Sequence, residues 1–250
     1  MADAVDSRGQ IVLAADGIKM SFGALQVLRG IDFSVGHNEL VGVIGPNGAG
    51  KTTFFSILVG ALRPDSGTVT FREQDVTPLP MASRCRQGLV RTHQIPRPFN
   101  GMTVFENVLV AAMNAHGVGR KAAYQNAIEA MTHTAMLDKA NRRAGALGLL
   151  DRKRLELSRA LATRPEVLLL DEIGGGLSEG ESQELASMIT ALHDRGIAIV
   201  WIEHVVALLA QVAKRFVCLH NGTLIADGTP QEVMADNTVI EAYLGGMARR

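Results

Sequence analysis

The chain has 250 residues, 47% of them apolar, enough for one large α/β domain with a full core. Lysine plus arginine and aspartate plus glutamate each number 25, so the formal charge is zero and no basic stripe points to a nucleic-acid partner. No wholly apolar run exceeds six residues, too few to cross a bilayer, and two distant cysteines, Cys85 and Cys218, make neither a disulfide framework nor a metal cluster. The N-terminal MADAVDSRGQ lacks the basic start and apolar centre of a signal peptide, so the expectation is a protein of the reducing cytosol.

Residues 11–35 alternate apolar and polar side chains, interrupted at Asp16-Gly17 and Arg29-Gly30, which predicts antiparallel strands. Phe22 lies in this stretch, 23 residues before Gly45. A ring at the end of such a strand either stacks on a nucleotide base or fills core. The apolar run 40–44 (LVGVI) then predicts a buried strand. It leads into Gly45-Pro46-Asn47-Gly48-Ala49-Gly50-Lys51-Thr52, a complete match to G-x-x-x-x-G-K-[ST], and a helical segment follows from Thr53 to residue 59. Strand, glycine-rich turn and helix start together make a phosphate site. Backbone N–H groups converge there and the helix dipole adds positive potential. Lys51 is placed to reach the β- and γ-phosphates of a nucleotide, and the Thr52 hydroxyl to ligate Mg²⁺.

A turn cluster at 63–67 precedes a short strand at 68–71, a weakly helical segment at 81–88 and a further strand at 89–94. From Thr103 to about Ala144 the composition is helical, with a break at 116–119, and predicts a separate layer of two or three helices. Met113, Met131 and Met136 are expected to fill its core. A charged helix at 152–163 is followed by the run 167–170, which ends in Asp171-Glu172. Adjacent carboxylates at the C-terminal end of a buried strand sit where an α/β sheet carries its active site. Beside a phosphate loop, the first can hold Mg²⁺ and the second can polarise attacking water. Gly174-Gly175-Gly176 reads as a flexible joint, 179–195 as a helix, and 197–202 as a strand ending in Glu203-His204. Residues 216–226 form a hairpin with Asn221-Gly222 as a type I′ turn, and Thr229-Pro230-Gln231-Glu232 is a capping box that opens a terminal helix.

In this order the motifs resemble the ATP-binding cassette family, the motor subunits of ABC transporters, over nearly the whole chain. The resemblance implies a P-loop NTPase (RecA-like) α/β core with an antiparallel β subdomain and an inserted α-helical subdomain. The expected division is 1–95 for the β subdomain and first part of the core, 96–160 for the helical subdomain with the signature region, and 161–250 for the rest. It further implies ATP and Mg²⁺ as ligands, with Phe22 stacking on adenine and Gly45, Pro46, Asn47, Gly48, Ala49, Gly50, Lys51, Thr52 and Thr53 holding phosphates. Gln94 corresponds to a loop glutamine that senses Mg²⁺ and faces a membrane partner, Asp171 to the Mg²⁺-associated aspartate, Glu172 to the catalytic glutamate and His204 to the switch histidine. Within the family, RTHQIPRPFNGMTVFENV and DGTPQEVMADNTVIEAYLGG look like the branched-chain amino acid importer cassettes. These work as two related cassettes on a transmembrane permease fed by a periplasmic binding protein, and lie peripherally on the inner face of the cell membrane.

The chain departs from the pattern at the signature, usually close to L-S-G-G-Q. Here Leu147-Gly148-Leu149-Leu150-Asp151 stands in that place, ahead of the well-matched RKRLELSRALA. Gly148 removes the serine hydroxyl, Leu149 and Leu150 put side chains where backbone should approach phosphate, and Asp151 brings a negative charge. Ile173, Ser178, Glu179 and Val205 are smaller departures. Cassettes dimerise head to tail, so this signature would serve the partner's site while the chain's own catalytic residues are intact. The expectation is a heterodimer with one consensus and one degenerate site. The rival is a nucleotide-binding regulatory cassette with little hydrolysis of its own.

Overall fold

Two antiparallel strands, β1 (Ile11–Phe22) and β2 (Leu25–Gly36), open the fold and turn back on each other at Gly23-Ala24. Asp16-Gly17 and Arg29-Gly30, expected to interrupt the strands, are absorbed inside them: the pairing shifts register between Ala15 and Ile18, and Gly17 and Gly30 take positive φ. Next in the chain come β3 (Leu40–Ile44), α1 (Lys51–Leu58), β4 (Ser66–Phe71), β5 (Gln74–Asp75), α2 (Met81–Gln87) and β6 (Leu89–Arg91). The helical layer contains α3 (Val104–Met113), α4 (Arg120–His133) and α5 (Leu149–Ala162), with single 3₁₀ turns at Leu137–Lys139 and Ala144–Ala146 between the last two. The remainder is β7 (Val167–Asp171), α6 (Glu179–His193), β8 (Ala198–Ile202), α7 (Val206–Val212), β9 (Arg215–His220), β10 (Thr223–Gly228), α8 (Pro230–Ala235) and α9 (Asn237–Met247). The structure, a computed structural model, describes residues 10–115 and 117–247. The N-terminal stretch ahead of Gln10, and His116 in the expected break, lie outside them.

The strands form two sheets, one antiparallel in the order β2-β1-β4-β5 and one of six strands in the order β10-β9-β3-β8-β7-β6. The central strands β9, β3, β8, β7 and β6 are parallel. Their short runs are apolar throughout because both faces are buried. Alternate residues serve opposite sides. Leu168, Leu170, Ile199 and Trp201 face the helical layer, while Val167, Leu169, Val200 and Ile202 face α1 and the antiparallel sheet. This is the α/β P-loop architecture with an antiparallel sheet and a helical layer attached.

Several local expectations need adjustment. The first helix begins at Lys51, not Thr53, which puts Lys51 and Thr52 in its first turn. The strand expected at 89–94 stops at Arg91; Thr92 makes the last sheet bond, to Leu169 O at 3.0 Å, and leaves Gln94 in a loop. Met131 and Met136 are fully buried, but Met113, at the C-terminal end of α3, is 53% exposed and fills no core. Two of the three glycines at 174–176 are tied rather than free: Gly174 N donates to Glu203 Oε1 and its O accepts from Leu177 N, and Gly175 N donates to Glu172 O. The Asn221-Gly222 turn has positive φ at both residues, as a type I′ hairpin requires.

Candidate functional site

The phosphate loop leaves the C-terminal end of β3 and enters α1. Gly45 has φ +146°, and a Cβ there would lie 2.1 Å from Leu219 O on the neighbouring strand, so only glycine permits this close approach. Gly50, at φ +106°, caps α1 with no side chain, and a Cβ would collide with Leu28 at 2.7 Å. The loop is braced from outside, since Gly222 N donates to Ala49 O and Arg29 N to Gly222 O. Asn47, Gly48, Gly50, Lys51, Thr52 and Thr53 border a concavity of about 390 Å³ that also touches Leu25, Val27 and Glu172. Phe22, the last residue of β1 and 49% exposed, pairs with Leu25 at the edge of this concavity. Lys51 is buried, its Nζ donating to Gly45 O at 2.7 Å and Pro46 O at 3.1 Å. Burial lowers its pKa, partly opposed by Glu172 and Asp171.

Asp171 closes β7, and Glu172 follows with φ +48°, a left-handed conformation uncommon for a non-glycine residue. Its N–H bonds Ile202 O at 2.9 Å, which fixes the carboxylate at the ends of two adjacent strands. Two of the sequence-predicted residues meet on that carboxylate. Gln94 Nε2 donates to Glu172 Oε2, and His204 Nε2 stands 2.7 Å from Glu172 Oε1. Residues separated by 78 and 32 positions in sequence are thereby gathered on one side chain opposite the phosphate loop.

Three supporting residues escaped sequence reading. Arg91 pairs through Nη2 with Asp171 Oδ2 and through Nη1 with Ser56 Oγ of α1 at 2.9 Å. Asp171 is 1% exposed, and its other oxygen, Oδ1, has no partner. Removing Arg91 would strand a buried carboxylate, so Arg91→Met is expected to cost about 3 kcal/mol or more of unfolding free energy, measured by urea denaturation. Glu203, 3% exposed, accepts from Gly174 N and from His204 N at 3.1 Å and so holds the segment on either side of Glu172. Tyr243 of α9 accepts from Gly45 N at 2.8 Å, tying the C-terminal helix to the phosphate loop. Only the Glu203-His204 position at a strand end offered any signal. Arg91 and Tyr243 offered none, because their partners are distant in sequence.

Burial raises the Glu203 pKa, more than its two backbone hydrogen bonds lower it. The folded chain therefore binds more protons than the unfolded chain between the ordinary value of 4.5 and the raised folded value. Across that window stability falls as pH rises. Glu203→Gln is expected to flatten this slope in thermal melts recorded from acidic to neutral pH.

Gly148 is the N-cap of α5 without a side-chain cap, and Leu149, Leu150 and Asp151 form the first helical turn. Leu149 is 45% exposed, and Asp151 is paired with Lys139 Nζ at 2.7 Å and Arg154 Nη1 at 3.4 Å. The Asp151 charge, expected to lie near phosphate, is compensated by these two cations of its own chain. The signature positions make no contact with Glu172 or the phosphate loop of their own chain among the described hydrogen bonds and ion pairs.

The profile of the ABC transporter family matches residues 28–175, more than half of the chain. The chain belongs to the ABC transporter ATP-binding family. A second profile, described as branched-chain amino acid ATP-binding cassette transporter, matches residues 223–249. The chain is 39% identical to the high-affinity branched-chain amino acid transport ATP-binding protein LivG of Salmonella typhimurium, over 94% of this chain and 98% of that one. It is 35% identical to BraF of Pseudomonas aeruginosa, of the same description, with the same coverage. Among solved structures, an ATP-binding cassette of an ABC transporter in its ADP conformation superposes with a TM-score of 0.85 at 28% identity, covering 94% of this chain and 99% of that one. No helix among the described residues of this ABC cassette is long and apolar enough to cross a membrane.

Proposed function

We propose that this cassette is the ATP-hydrolysing motor of an importer for branched-chain amino acids or related small amides, bound to permease subunits on the cytoplasmic face of the membrane. The meeting of Gln94 and His204 on Glu172, opposite the phosphate loop, is the observation that carries the catalytic part. The importer assignment is supported by the similarity to LivG and BraF and by the C-terminal profile match. In this reading the backbone amides of residues 45–53 cradle the phosphates of ATP, with Phe22 against the adenine. Lys51 exchanges its loop carbonyls for phosphate oxygens, which restores the charge that burial disfavours. Glu172 orients and deprotonates the attacking water, and His204 holds the carboxylate and donates toward the γ-phosphate. Mg²⁺ would be held by the Thr52 hydroxyl, the Gln94 side-chain oxygen and the Asp171 carboxylate, whose Oδ1 has no protein partner. When bound, the ion neutralises charge developing on the phosphates.

The three-part division at residues 95 and 160 belongs to the same reading, with the Gln94 loop as the hinge between core and helical layer. The altered signature, with Leu149 exposed at the N-terminus of α5, favours pairing with a second cassette that carries a consensus signature. A regulatory cassette that binds ATP without turnover is the second reading that this feature supports. Co-expression with a candidate permease pair and partner cassette in proteoliposomes separates them. Leucine uptake that needs ATP and intact Glu172 supports the motor. Uptake indifferent to Glu172→Gln in this chain rejects it for the regulatory role.

A further inference from the structure

The segment 92–99, which carries Gln94, is exposed along most of its length, and its residues 93–98 make no backbone–backbone hydrogen bond among the described residues. Pro96 and Pro98 have no N–H to give. The two ends of the segment are fixed by the core. Thr92 N donates to Leu169 O at 3.0 Å, and Phe99 N and O bond the buried amide of Asn107 in α3 at 2.8 and 3.1 Å. Between these ends the backbone is gripped by α5. His93 N donates to Glu156 Oε1 at 3.3 Å, and Arg159 Nη1 donates to Arg97 O at 3.1 Å. Glu156 and Arg159 lie at i and i+3 on one face of α5 and pair with each other, Nη1 to Oε2 at 2.9 Å. The Arg159 guanidinium also stands 5.5 Å from the centre of the Phe99 ring. Gln94 thus sits between two gripped points, one residue after the first and three before the second.

Glu156 is 7% exposed and both of its oxygens are in use, so the pair is a satisfied buried one and not a loose surface contact. It is not needed to seat α5, which Leu155, Leu157 and Leu161 already anchor in the apolar core; its remaining bonds leave the helix for the loop. Gln94 itself is an exposed side chain with several rotors. Freezing it costs entropy that one bond to a carboxylate barely offsets unless the backbone is already held nearby. We propose that Glu156 and Arg159 are a positioning pair for Gln94, holding its backbone so that the side chain settles on Glu172. α5 starts with Leu149, Leu150 and Asp151, so one helix then links the signature positions of this chain to its own Glu172 carboxylate. What this does for turnover rests on the role given to Glu172 above; the contact itself does not.

Side-chain amide NMR on the isotope-labelled, nucleotide-free full chain reads the contact directly, so its outcome is separate from that of the transport reading. The Gln94 NH₂ pair is assigned by its absence from Gln94→Met, and Glu172→Ala gives its position when the partner is gone. Two variants are then compared with the parent: Glu156→Leu, which removes both acceptors, and Arg159→Met, which removes the donors. In each, the Gln94 pair is expected to move more than half of the way to its position in Glu172→Ala. General loss of stability would not shift one side chain of the folded state in this way. The proposal is overturned if the pair moves less than half of that way in either variant. It is also overturned if the parent pair already coincides with that of Glu172→Ala, since Gln94 then has no fixed place to be set. If Glu156→Leu does not fold, Glu156→Gln, which keeps the shape and gives up the charge, replaces it under the same criteria.

Discussion

Glu172→Gln is expected to lower ATP turnover by about 10²–10⁴-fold while ATP binding persists. The substitution keeps the side chain's shape and retains one carbonyl oxygen for the bond from Gln94, but it removes the charge and the proton acceptor. It leaves Lys51 and the loop amides untouched, so affinity for nucleotide should hold within a few-fold. Steady-state phosphate release measures the first quantity, and fluorescence titration with a labelled nucleotide measures the second. Turnover comparable to the parent would sink the assignment of Glu172 as the water-orienting base. The left-handed backbone at Glu172 sharpens the expectation. The chain holds a strained residue, worth about 1–3 kcal/mol, only where other contacts fix it, here the contacts of Gln94 and His204 on the carboxylate and the bond that Glu172 N–H donates to Ile202 O.

The second large effect concerns the signature. Restoring it with Gly148→Ser, Leu149→Gly, Leu150→Gly and Asp151→Gln is expected to raise turnover of the purified homodimer on the order of 10²-fold. That is the size of effect seen when donors to a developing phosphate or oxyanion charge are supplied. Structure supports the direction: the exposed Leu149 stands at the N-terminus of α5, where backbone amides would otherwise meet a partner's γ-phosphate. Asp151 is expected to matter less than its charge suggests, because Lys139 and Arg154 pair with it. Asp151→Gln alone should therefore change little, whereas Leu149→Gly with Leu150→Gly should recover most of the gain. A parent homodimer that already hydrolyses ATP at the repaired rate would remove the case for a partner cassette.

The sequence by itself determined the elements whose cause is local. Apolar runs bounded by turn residues set β3, β7 and β8, because a strand buried on both faces has no polar side. The glycine spacing set the phosphate loop, because only glycine tolerates the backbone at Gly45 and Gly50. The Thr229 capping box and the Asn221-Gly222 turn were legible for the same reason: each needs only neighbours within a few residues. Composition could place Met113 in a helix but not on a face, and as the last residue of α3 it is exposed.

Tertiary structure decided whatever depends on residues far apart in the chain. Parallel pairing brings the ends of β6, β7 and β8 to one edge, and that alone sets Arg91 on Asp171 and gathers Gln94 and His204 on Glu172. The same holds for Tyr243 on Gly45, closed across 198 positions. Local sequence carries no trace of such contacts, since their energy is realised only once sheet register fixes which side chains become neighbours.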